Sequence, residues 1–593
     1  MKRVADYIAE FLAEKQVRHV FMISGGGAMH LNDAFGRNQA ITYLCNHHEQ
    51  ASAIAAEGYA RLSGKLAVVC VTTGPGGLNT LTGVMGQWTD SIPVLYISGQ
   101  VKFETTLGSC PDLPLRQLGD QEVDIIRIVR PLTKFSVSVR HPQDIRKILE
   151  EAVYWAMNGR RGPVWIDVPM NIQSAMIDEK SLEPFIVPRQ DPSLQKPSWV
   201  NEVVGLLKRA KRPLIIAGHG IRLAGASLEL FSLLEKCAFP VVTTHNGRDL
   251  VPDGHPLFIG KIGTLGDRAG NFALQGADLI LSVGSRNNVR QVSYNWANFA
   301  RQAKIISVDI DPAELKKPLR MVDVPVCMDA KEFLVSLRAA LANEPQQRPE
   351  WLNWCRTRRE RYPVVLPEYG DCKNINPYYF VKTLTECLPE GEVVVAGNGS
   401  ASVCLFQAAT VKAGQRLLYN SGCAAMGYDL PAAIGACLAS DRRRVICLAG
   451  DGSLSMNLQE LQTIFHHQLP IKLFVLDNNG YSSIQQTQDA FFGGKRVACD
   501  RESGVTFPDF CRVAEAFGIP ASRLADPAEM REHIDGLLSV PGPCLCVVKL
   551  AENYHFSPKV SSQRMPDGTM VSKSFEDMFP FLPPSEVLMN KID

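Results

Sequence analysis

The sequence predicts an α/β protein built from three doubly wound parallel-sheet domains. Short apolar segments of strand length alternate with helical patterns through most of the chain, which is typical of βαβ units. Glycine-containing turns follow many of these strands, and two irregular regions, residues 181–198 and 341–375, interrupt the alternation. We therefore expect domains over residues 1–180, 199–340 and 376–550, followed by a C-terminal tail over residues 551–593.

Composition and charge argue against several classes of function. The 593 residues include 62 basic and 61 acidic side chains, so the net charge of +1 gives no electrostatic footprint for nucleic acid or an anionic membrane. No apolar run approaches the ~18 residues of a membrane span, and acidic residues interrupt the N-terminal helical pattern where a signal peptide would be apolar. The 16 scattered cysteines form no CxxC pair, which fits free thiols better than zinc ligands. We expect a cytoplasmic protein without nucleic-acid or membrane partners.

Two strand ends in the third domain carry the ligands that a magnesium ion prefers. An apolar strand at 445–449 stops at the Gly-Asp-Gly turn of Asp451, and a second strand at 471–476 stops just before Asn478 and Gly480. The carboxyl ends of parallel strands meet at one edge of a sheet, so these side chains should emerge side by side. One helix is expected between the strands, from the apolar positions Leu454, Leu458, Leu461, Ile464 and Phe465. Its free N–H groups suit a phosphate, and the oxygen ligands suit Mg²⁺.

The spacing of these residues carries a resemblance. GDG followed after 25 residues by NN resembles the cofactor motif of thiamine diphosphate (ThDP) enzymes. The resemblance implies that Asp451, Asn478 and the carbonyl of Gly480 hold Mg²⁺. The alternative is an ordinary βαβ unit with a glycine turn.

The first domain strengthens the resemblance. HHEQASAIAAEGYAR, followed by TTGPGGLNTLTGVMGQWTDSIPVLYISGQ, is similar to the pyrimidine-binding domain of acetolactate synthase. By that likeness Glu49 is the catalytic acid that binds N1′ of the aminopyrimidine, so that N4′ can deprotonate the thiazolium. The alternative is a first-turn acid favoured by the helix dipole. Gln121 matches a glutamine of the carboligase substrate pocket, and its stretch lacks the paired histidines of simple pyruvate decarboxylases.

Further cofactor contacts are expected at other turns of the first and third domains. Met426 matches the bulky residue that forces the two cofactor rings into a V shape, and the carbonyl of Ala424 would accept a hydrogen bond from N4′. The alternative for Met426 is plain helix core. The remaining expected ThDP contacts are Ser24, Gly25, Gly26, Gly76, Gly399, Ser400, Gly452, Ser453 and Tyr481.

The central domain resembles the flavin-binding part of acetolactate synthase. GKIGTLG, GSRNNVRQ and VDIDPAELKK are the matching segments, and they imply FAD contacts at Gly263, Thr264, Arg286, Arg290, Asp309 and Asp311. Two departures stand out: Asn288 and Val289 replace an acid pair, and His219 replaces a glycine. FAD is the ligand that the resemblance implies, with ADP or an empty pocket as alternatives.

Together these likenesses predict a flavin-containing carboligase that decarboxylates a 2-oxo acid, with pyruvate as the expected donor, and adds the hydroxyethyl unit to a second carbonyl. Thr487 stands where the family has a tryptophan, which opens the acceptor pocket and adds a donor. The sequence around Thr487 and the C-terminal tail resemble the corresponding parts of ThDP enzymes of surface-sugar pathways, including the yersiniose ligase. This resemblance implies a larger ketone or a nucleotide keto-sugar as acceptor. The tail is expected to form either a lid over the site or a packed arm. A homodimer or homotetramer is implied. The alternatives are a 2-oxo acid or oxalyl-CoA-type decarboxylase, a flavin-linked pyruvate oxidase, and a non-enzymatic binding subunit.

Overall fold

The computed structural model describes residues 1–188, 199–341, 347–552 and 554–592. Three six-stranded sheets follow one another along the chain, and every strand in them runs parallel to its neighbours. Helices cover both faces of each sheet, so the predicted α/β class with three parallel-sheet domains is confirmed. Residues 189–198 of the first expected irregular region, and 342–346 of the second, lie outside the described residues.

The first sheet has the strand order β3-β2-β4-β5-β7-β6. Its strands, with the short antiparallel pair β1 and β8, are β1 (Lys2–Arg3), β2 (His19–Met22), β3 (Thr42–Cys45), β4 (Ala67–Val71), β5 (Val94–Gln100), β6 (Phe135–Ser138), β7 (Val164–Pro169) and β8 (Met176–Ile177). The helices are α1 (Val4–Glu14), α2 (Met29–Arg37), α3 (Glu49–Ser63), α4 (Pro75–Leu78), α5 (Leu81–Asp90), α6 (Ile125–Val129), α7 (Ile145–Met157) and α8 (Met170–Ser174).

The central sheet has a different order, β11-β10-β9-β12-β13-β14, which is that of dinucleotide-binding folds. Its strands are β9 (Pro213–Ala217), β10 (Val241–Thr243), β11 (Phe258–Lys261), β12 (Leu279–Val283), β13 (Lys304–Asp309) and β14 (Val324–Cys327). The helices are α9 (Val200–Arg209), α10 (His219–Leu223), α11 (Ser227–Cys237), α12 (Arg268–Gly276), α13 (Val289–Val292), α14 (Pro312–Lys316) and α15 (Ala330–Ala340).

The third sheet, β16-β15-β17-β18-β20-β19, repeats the topology of the first. Its strands are β15 (Val393–Ala396), β16 (Arg416–Leu418), β17 (Val445–Gly450), β18 (Ile471–Asp477), β19 (Ala521–Leu524) and β20 (Cys544–Lys549). The helices of this domain are α17 (Pro377–Cys387), α18 (Gly399–Ala408), α19 (Asp429–Ala439), α20 (Asp451–Leu454), α21 (Glu460–His467), α22 (Ser482–Phe491), α23 (Phe510–Ala516) and α24 (Met530–Ser539). The preceding helix, α16 (Pro349–Arg361), packs on α12 and β11 of the central domain.

The C-terminal tail is folded against the central and third domains. It contains β21 (Lys559–Val560), β22 (Ser562–Arg564), β23 (Met570–Ser572), β24 (Met578–Phe579) and α25 (Pro584–Met589). Two antiparallel pairs form, β21 with β24 and β22 with β23. Phe575 and Met578 are each 1% exposed, so this part of the tail belongs to the packed structure.

The first and third domains meet along two helices of small residues. α3 packs on α19, and both are buried along nearly their whole length. A Cβ on Gly58 of α3 would lie 2.2 Å from the carbonyl oxygen of Ala432, and one on Gly435 of α19 would lie 1.8 Å from that of Ala55. Only glycine allows the two backbones this approach.

The prediction of a single helix after Asp451 is wrong. The segment forms two short helices, α20 and α21, separated by residues 455–459, and Phe465 is 37% exposed. The break has a local cause: the side chain of Asn457 donates hydrogen bonds to the carbonyl oxygen of Gly427 at 2.7 Å and to Gln50 at 3.1 Å. These contacts come from two other segments, which the helical spacing does not reveal.

Candidate active site

The three predicted metal ligands lie together at the carboxyl ends of β17 and β18. Oδ2 of Asp451 accepts hydrogen bonds from the backbone N–H groups of Asn478 at 3.1 Å and Gly480 at 3.3 Å, and Oδ1 accepts from Gly452 at 2.7 Å. Burial raises the pKa of Asp451 to about 7, against these hydrogen bonds, which lower it. A cation beside this carboxylate would favour its charged form.

The orientation of the Asn478 amide fits a bound cation. Its oxygen lies 2.5 Å from the carbonyl oxygen of Gly480 and 3.3 Å from Oδ2 of Asp451, with no donor between them. Its nitrogen faces the hydroxyls of Tyr554 at 3.3 Å and Ser400 at 3.5 Å. Three hard oxygen atoms from a carboxylate, an amide and a carbonyl therefore converge, and this donor set suits Mg²⁺. Rotating the amide would bring its nitrogen to the same oxygens as a donor, which is the metal-free alternative.

These ligands line a cavity of about 990 Å³. It opens at the switch point of the third sheet, between β15 and β17, where ligands of such sheets bind. Gly399 and Ser400 begin α18 on one side, and Gly452 and Ser453 lie in α20 on the other. A Cβ on Gly452 would lie 2.3 Å from the Tyr481 ring, so only glycine allows this ring to pack so close to the start of α20. Because α20 has four residues, its dipole adds little, and these individual N–H groups matter more.

Ala424 and Met426 lie on the wall of the same cavity. Ala424 has a φ of +54°, a left-handed conformation that costs a non-glycine residue free energy. Its N–H donates to Asn420 at 2.6 Å, and its carbonyl oxygen accepts from the side chain of Asn398 at 3.3 Å. The backbone at Ala424 is therefore held in place beside the cavity.

Two residues at this site were not found from the sequence. The hydroxyl of Tyr554 lies 2.6 Å from Oγ of Ser400, and burial raises its pKa to about 12. Asp429 is fully buried, with a pKa raised to about 6 by burial, and Oδ2 would lie 2.3 Å from a Cβ on Gly397. Tyr554 lies five residues after the end of β20, and this position is the one sequence signal that could have identified it.

The predicted residues of the first domain form a separate cluster at the carboxyl edge of the first sheet. Glu49 begins α3 and accepts a hydrogen bond from Asn79 at 2.9 Å. A Cβ on Gly76 would lie 3.7 Å from the Glu49 carboxylate, and one on Gly25 would lie 2.5 Å from Thr72. Ser24 and Gly26 flank Gly25 in the turn after β2. The turns after β2 and β4 thus meet at the switch point of this sheet, next to Glu49.

Gln121 is locked against the glycine turn after β4. Its φ is +60°, and its carbonyl oxygen would lie 1.8 Å from a Cβ on Gly74. Its neighbour Glu122 accepts hydrogen bonds from the N–H groups of Leu107 at 2.6 Å and Leu118 at 3.2 Å. Glu122 thus ties the loop of Gln121 to Leu107 and Leu118, and backbone strain of the kind seen at Gln121 clusters at functional sites.

The structure does not bring the two clusters together within one chain. Among the described residues, the lining of the 990 Å³ cavity includes none from the first domain, and therefore neither Glu49 nor Gln121.

A second cavity, of about 310 Å³, lies at the switch point of the central sheet between β9 and β12. Arg286, Arg290 and Asp309 line it, and Arg290 also lines the larger cavity. Within the described part of the chain, no carboxylate pairs with Arg290, whose pKa is lowered by burial. Gly263 and Thr264 are not in this lining; Thr264 instead donates to the carbonyl oxygen of Arg290 at 2.9 Å.

The departures noted in the sequence have local explanations. His219 lies in the 310 Å³ cavity, 3.0 Å from the carbonyl oxygen of Asn246, and burial lowers its pKa to about 4, so it is neutral. Asn288 caps α13 by accepting from the N–H of Gln291 at 3.2 Å. Asp311 is 2.9 Å from Arg160 of the first domain, in an ion pair.

Comparison with known protein families identifies the fold. Models of thiamine pyrophosphate (ThDP) enzymes match the N-terminal TPP binding domain over residues 2–128, the central domain over 200–337 and the C-terminal TPP binding domain over 397–548. The chain belongs to the thiamine pyrophosphate enzymes.

Curated relatives narrow this assignment. The chain is 34% identical to the probable acetolactate synthase large subunit of Methanocaldococcus jannaschii, over 89% of each chain. It is 31% identical to acetolactate synthase isozyme 1 large subunit of Escherichia coli, over 94% of this chain and 95% of the relative. It is 32% identical to a chloroplastic acetolactate synthase of Arabidopsis thaliana, over 95% and 83%. This ThDP enzyme is thus acetolactate synthase-like and of the carboligase type.

Two further observations concern the tail and the helices of this ThDP enzyme. Residues of the tail, including His555, Lys559 and Phe581, form one wall of the 990 Å³ cavity. Across the described ranges, no helix combines the length and the apolar character needed to cross a membrane.

Proposed function

We propose that this enzyme decarboxylates a 2-oxo acid, with pyruvate as the expected donor, and joins the two-carbon unit to a second carbonyl compound. The observation that carries the proposal is that Asp451, Asn478 and the backbone of Gly480 meet, through the hydrogen bonds to Oδ2 of Asp451, beside a cavity at the switch point of a TPP-binding domain. When bound, ThDP supplies a carbon nucleophile that can break the bond to a carboxylate and form a new carbon–carbon bond.

The chain's own residues have distinct tasks in this proposal. Asp451, Asn478 and the carbonyl of Gly480 would hold Mg²⁺, whose charge would offset that of the diphosphate. The N–H groups of Gly399, Ser400 and Ser453 would hold the phosphate oxygens, whereas the N–H of Gly452 is already bonded to Oδ1 of Asp451. Met426 would pack against the cofactor. Glu49 would hold a proton at N1′ of the aminopyrimidine, while the carbonyl of Ala424 would accept from its amino group.

Because Glu49 and the metal ligands lie in different places on one chain, we propose that a complete site forms between two copies, as a homodimer or homotetramer. The exposed apolar side chains of Met29, Tyr43, Met85 and Trp88, on the domain of Glu49, support such contacts. Glu49→Gln and Asp451→Ala proteins, each inactive alone, should regain about a quarter of wild-type activity when they are refolded as an equal mixture, since half the dimers would have one intact site. A mixture as inactive as its parts would contradict shared sites.

We propose FAD as the ligand of the central cavity. The dinucleotide-type strand order, the cavity at its switch point and the half-buried Arg290 without a carboxylate partner in the described ranges support an anionic dinucleotide there. Absorbance and mass of what purifies with the protein distinguish FAD from ADP.

For the acceptor we propose a carbonyl compound larger than pyruvate, with a nucleotide keto-sugar as the most specific form of the idea. Thr487 lines the cavity on α22 and leaves room there. Its hydroxyl, expected to be a free donor, instead donates to the carbonyl oxygen of Ser483 at 2.9 Å. Thr487 therefore contributes space more than a new hydrogen bond.

The experiment is incubation with ThDP, Mg²⁺ and pyruvate, with CO₂ counted and the products identified. CO₂ release with acetolactate or another ligated product supports the proposal, whereas acetaldehyde alone indicates a simple decarboxylase and acetate an oxidase. Glu49→Gln should lower the rate by about 10²–10⁴-fold while ThDP still binds. Glu14→Gln, an exposed acid at the end of α1, is the matched control.

A further inference from the structure

The 990 Å³ cavity continues into a second cavity of about 430 Å³ between α22 and the tail. The two share Ala490, Phe491, Ser561, Ser562 and Phe581 in their linings. No metal ligand and no residue proposed to contact ThDP lines the second cavity. This outer part of the cleft therefore extends beyond the space assigned to the cofactor, and pockets for small ligands range from about 300 to 1,000 Å³.

The charge of the cleft is positive. Lys559 is half-buried on its wall, and its ammonium group has no carboxylate or hydrogen-bond partner among the residues that the structure describes. Arg564 and Lys573 line the outer part, and Lys573 pairs with Asp577 at 2.9 Å. The acid of the inner part that is not a metal ligand, Asp489, is neutralised by Arg496 at 3.0 Å.

Lys559 is presented from a fixed backbone. The residues beside it are bonded on both sides: the N–H of Val560 donates to the carbonyl oxygen of Thr264 at 2.8 Å, and Pro558 accepts from Gln407 at 2.6 Å. In β21 it pairs with Phe579 of β24, and its ammonium lies 5.8 Å from the centre of that ring. A partly desolvated lysine with only an aromatic neighbour favours an anionic ligand.

The wall also offers aromatic surface. Phe581 is 52% exposed, stands edge-on to Phe579 with ring centres 6.0 Å apart, and has the Lys573 ammonium 4.9 Å from its own centre. An exposed ring beside cations suits a ligand that combines an anion with a flat or apolar group.

We propose that this cleft binds an acceptor that carries a phosphate or diphosphate, with Lys559 and Arg564 contacting the anion and Phe581 contacting its organic part. The inference rests on the proposed carboligase function, and it defines the chemical class of the second substrate. A carboxylate on a small 2-oxo acid would use one cation and leave the outer cavity empty.

The test is calorimetric titration of the enzyme loaded with ThDP and Mg²⁺. The probes are uridine and cytidine diphosphate, ribose 5-phosphate, pyruvate and acetone. We expect at least one phosphorylated probe to bind, and Lys559→Met, which keeps the aliphatic stem, to weaken that binding about tenfold or more. Lys559→Arg should restore the affinity to within about threefold, because it keeps the charge. Lys591→Met, at an exposed lysine of the same tail, should change nothing.

Three outcomes would overturn the proposal: no phosphorylated probe binds, Lys559→Met binds as the unaltered enzyme does, or its affinity for ThDP falls by the same factor, which would assign the lysine to the cofactor. A nucleoside diphosphate that binds better than ribose 5-phosphate supports a nucleotide acceptor, and equal binding supports a simple phosphate ester. CO₂ release from pyruvate by the unaltered enzyme is measured separately. Its absence, with phosphate binding intact, would refute the carboligase function and leave the anion site standing.

Discussion

Replacing Gly435 by alanine should destabilise the enzyme through the packing of α3 on α19. The added methyl group would lie 1.8 Å from the carbonyl oxygen of Ala55, about half the separation at which nonbonded heavy atoms attract. The group it meets is helix backbone, which cannot rotate away as a flexible side chain can. The two helices must therefore move apart by about 1 Å or more along an interface that is buried on both sides.

The magnitude follows from two opposing terms. Overpacking a well-packed core costs about 1–3 kcal/mol. We expect the upper end of this range, because separating the two helices by about 0.5–1 Å removes a quarter to a half of the attraction in each contact between them. Exchanging glycine for alanine inside a helix returns about 1 kcal/mol. The net loss in the free energy of unfolding is therefore about 2 kcal/mol, which lowers the midpoint of thermal unfolding by a few degrees in a protein of this size.

The assay is thermal unfolding of both proteins side by side, with ThDP and Mg²⁺ absent and then present. Gly536→Ala is the matched control, since Gly536 lies on α24 with nothing within 4 Å of an added Cβ. That variant should gain about 0.5–1 kcal/mol from helix propensity alone. If Gly435→Ala unfolds at or above the wild-type temperature, the helices can separate without loss and the reasoning from their close approach is refuted.

Three further predictions concern the site. Tyr554→Phe removes the hydroxyl that contacts Ser400 and Asn478, so the affinity for Mg²⁺, measured by titration in the presence of ThDP, should fall about tenfold; Tyr379→Phe is the control, and equal affinities would contradict a role for the hydroxyl. Arg290→Leu should lower the amount of FAD that purifies with the protein, measured by absorbance, because it removes a half-buried cation from the lining of the central cavity; unchanged flavin content would count against that site. Thr487→Trp should narrow the acceptor pocket and shift the products, analysed with mixed acceptors, towards ligation of pyruvate or 2-oxobutyrate; an unchanged product ratio would mean that position 487 does not select the acceptor.

The strands and the metal ligands were predictable from sequence because their signals are local. β17 and β18 each extend one residue beyond the apolar runs expected at 445–449 and 471–476, and Asp451 and Asn478 follow these strands directly. Tyr554 was missed because its contact with Ser400 joins residues 154 positions apart, and no pattern around it encodes that pairing. The break between α20 and α21 was missed for the same reason, since Asn457 is held by Gly427 and Gln50. The sequence thus predicts which side chains follow a strand, whereas contacts between distant segments determine which other residues lie beside them in the site.

The repeated topology explains why the predicted site residues form two separate clusters within one chain. The first and third sheets have equivalent strand orders, and each places glycine turns at its own switch point: the turns after β2 and β4 in one, those after β15 and β17 in the other. The first domain has the acid Glu49 beside its glycine turns, and the third domain has the predicted metal ligands beside its own. Within a chain, α3 and α19 fix the two domains so that the acid is outside the cavity of the metal ligands. Because Glu49 is the first residue of α3, a change at Gly435 that pushes α3 away from α19 should also displace the Glu49 carboxylate and lower activity at temperatures where the chain is still folded.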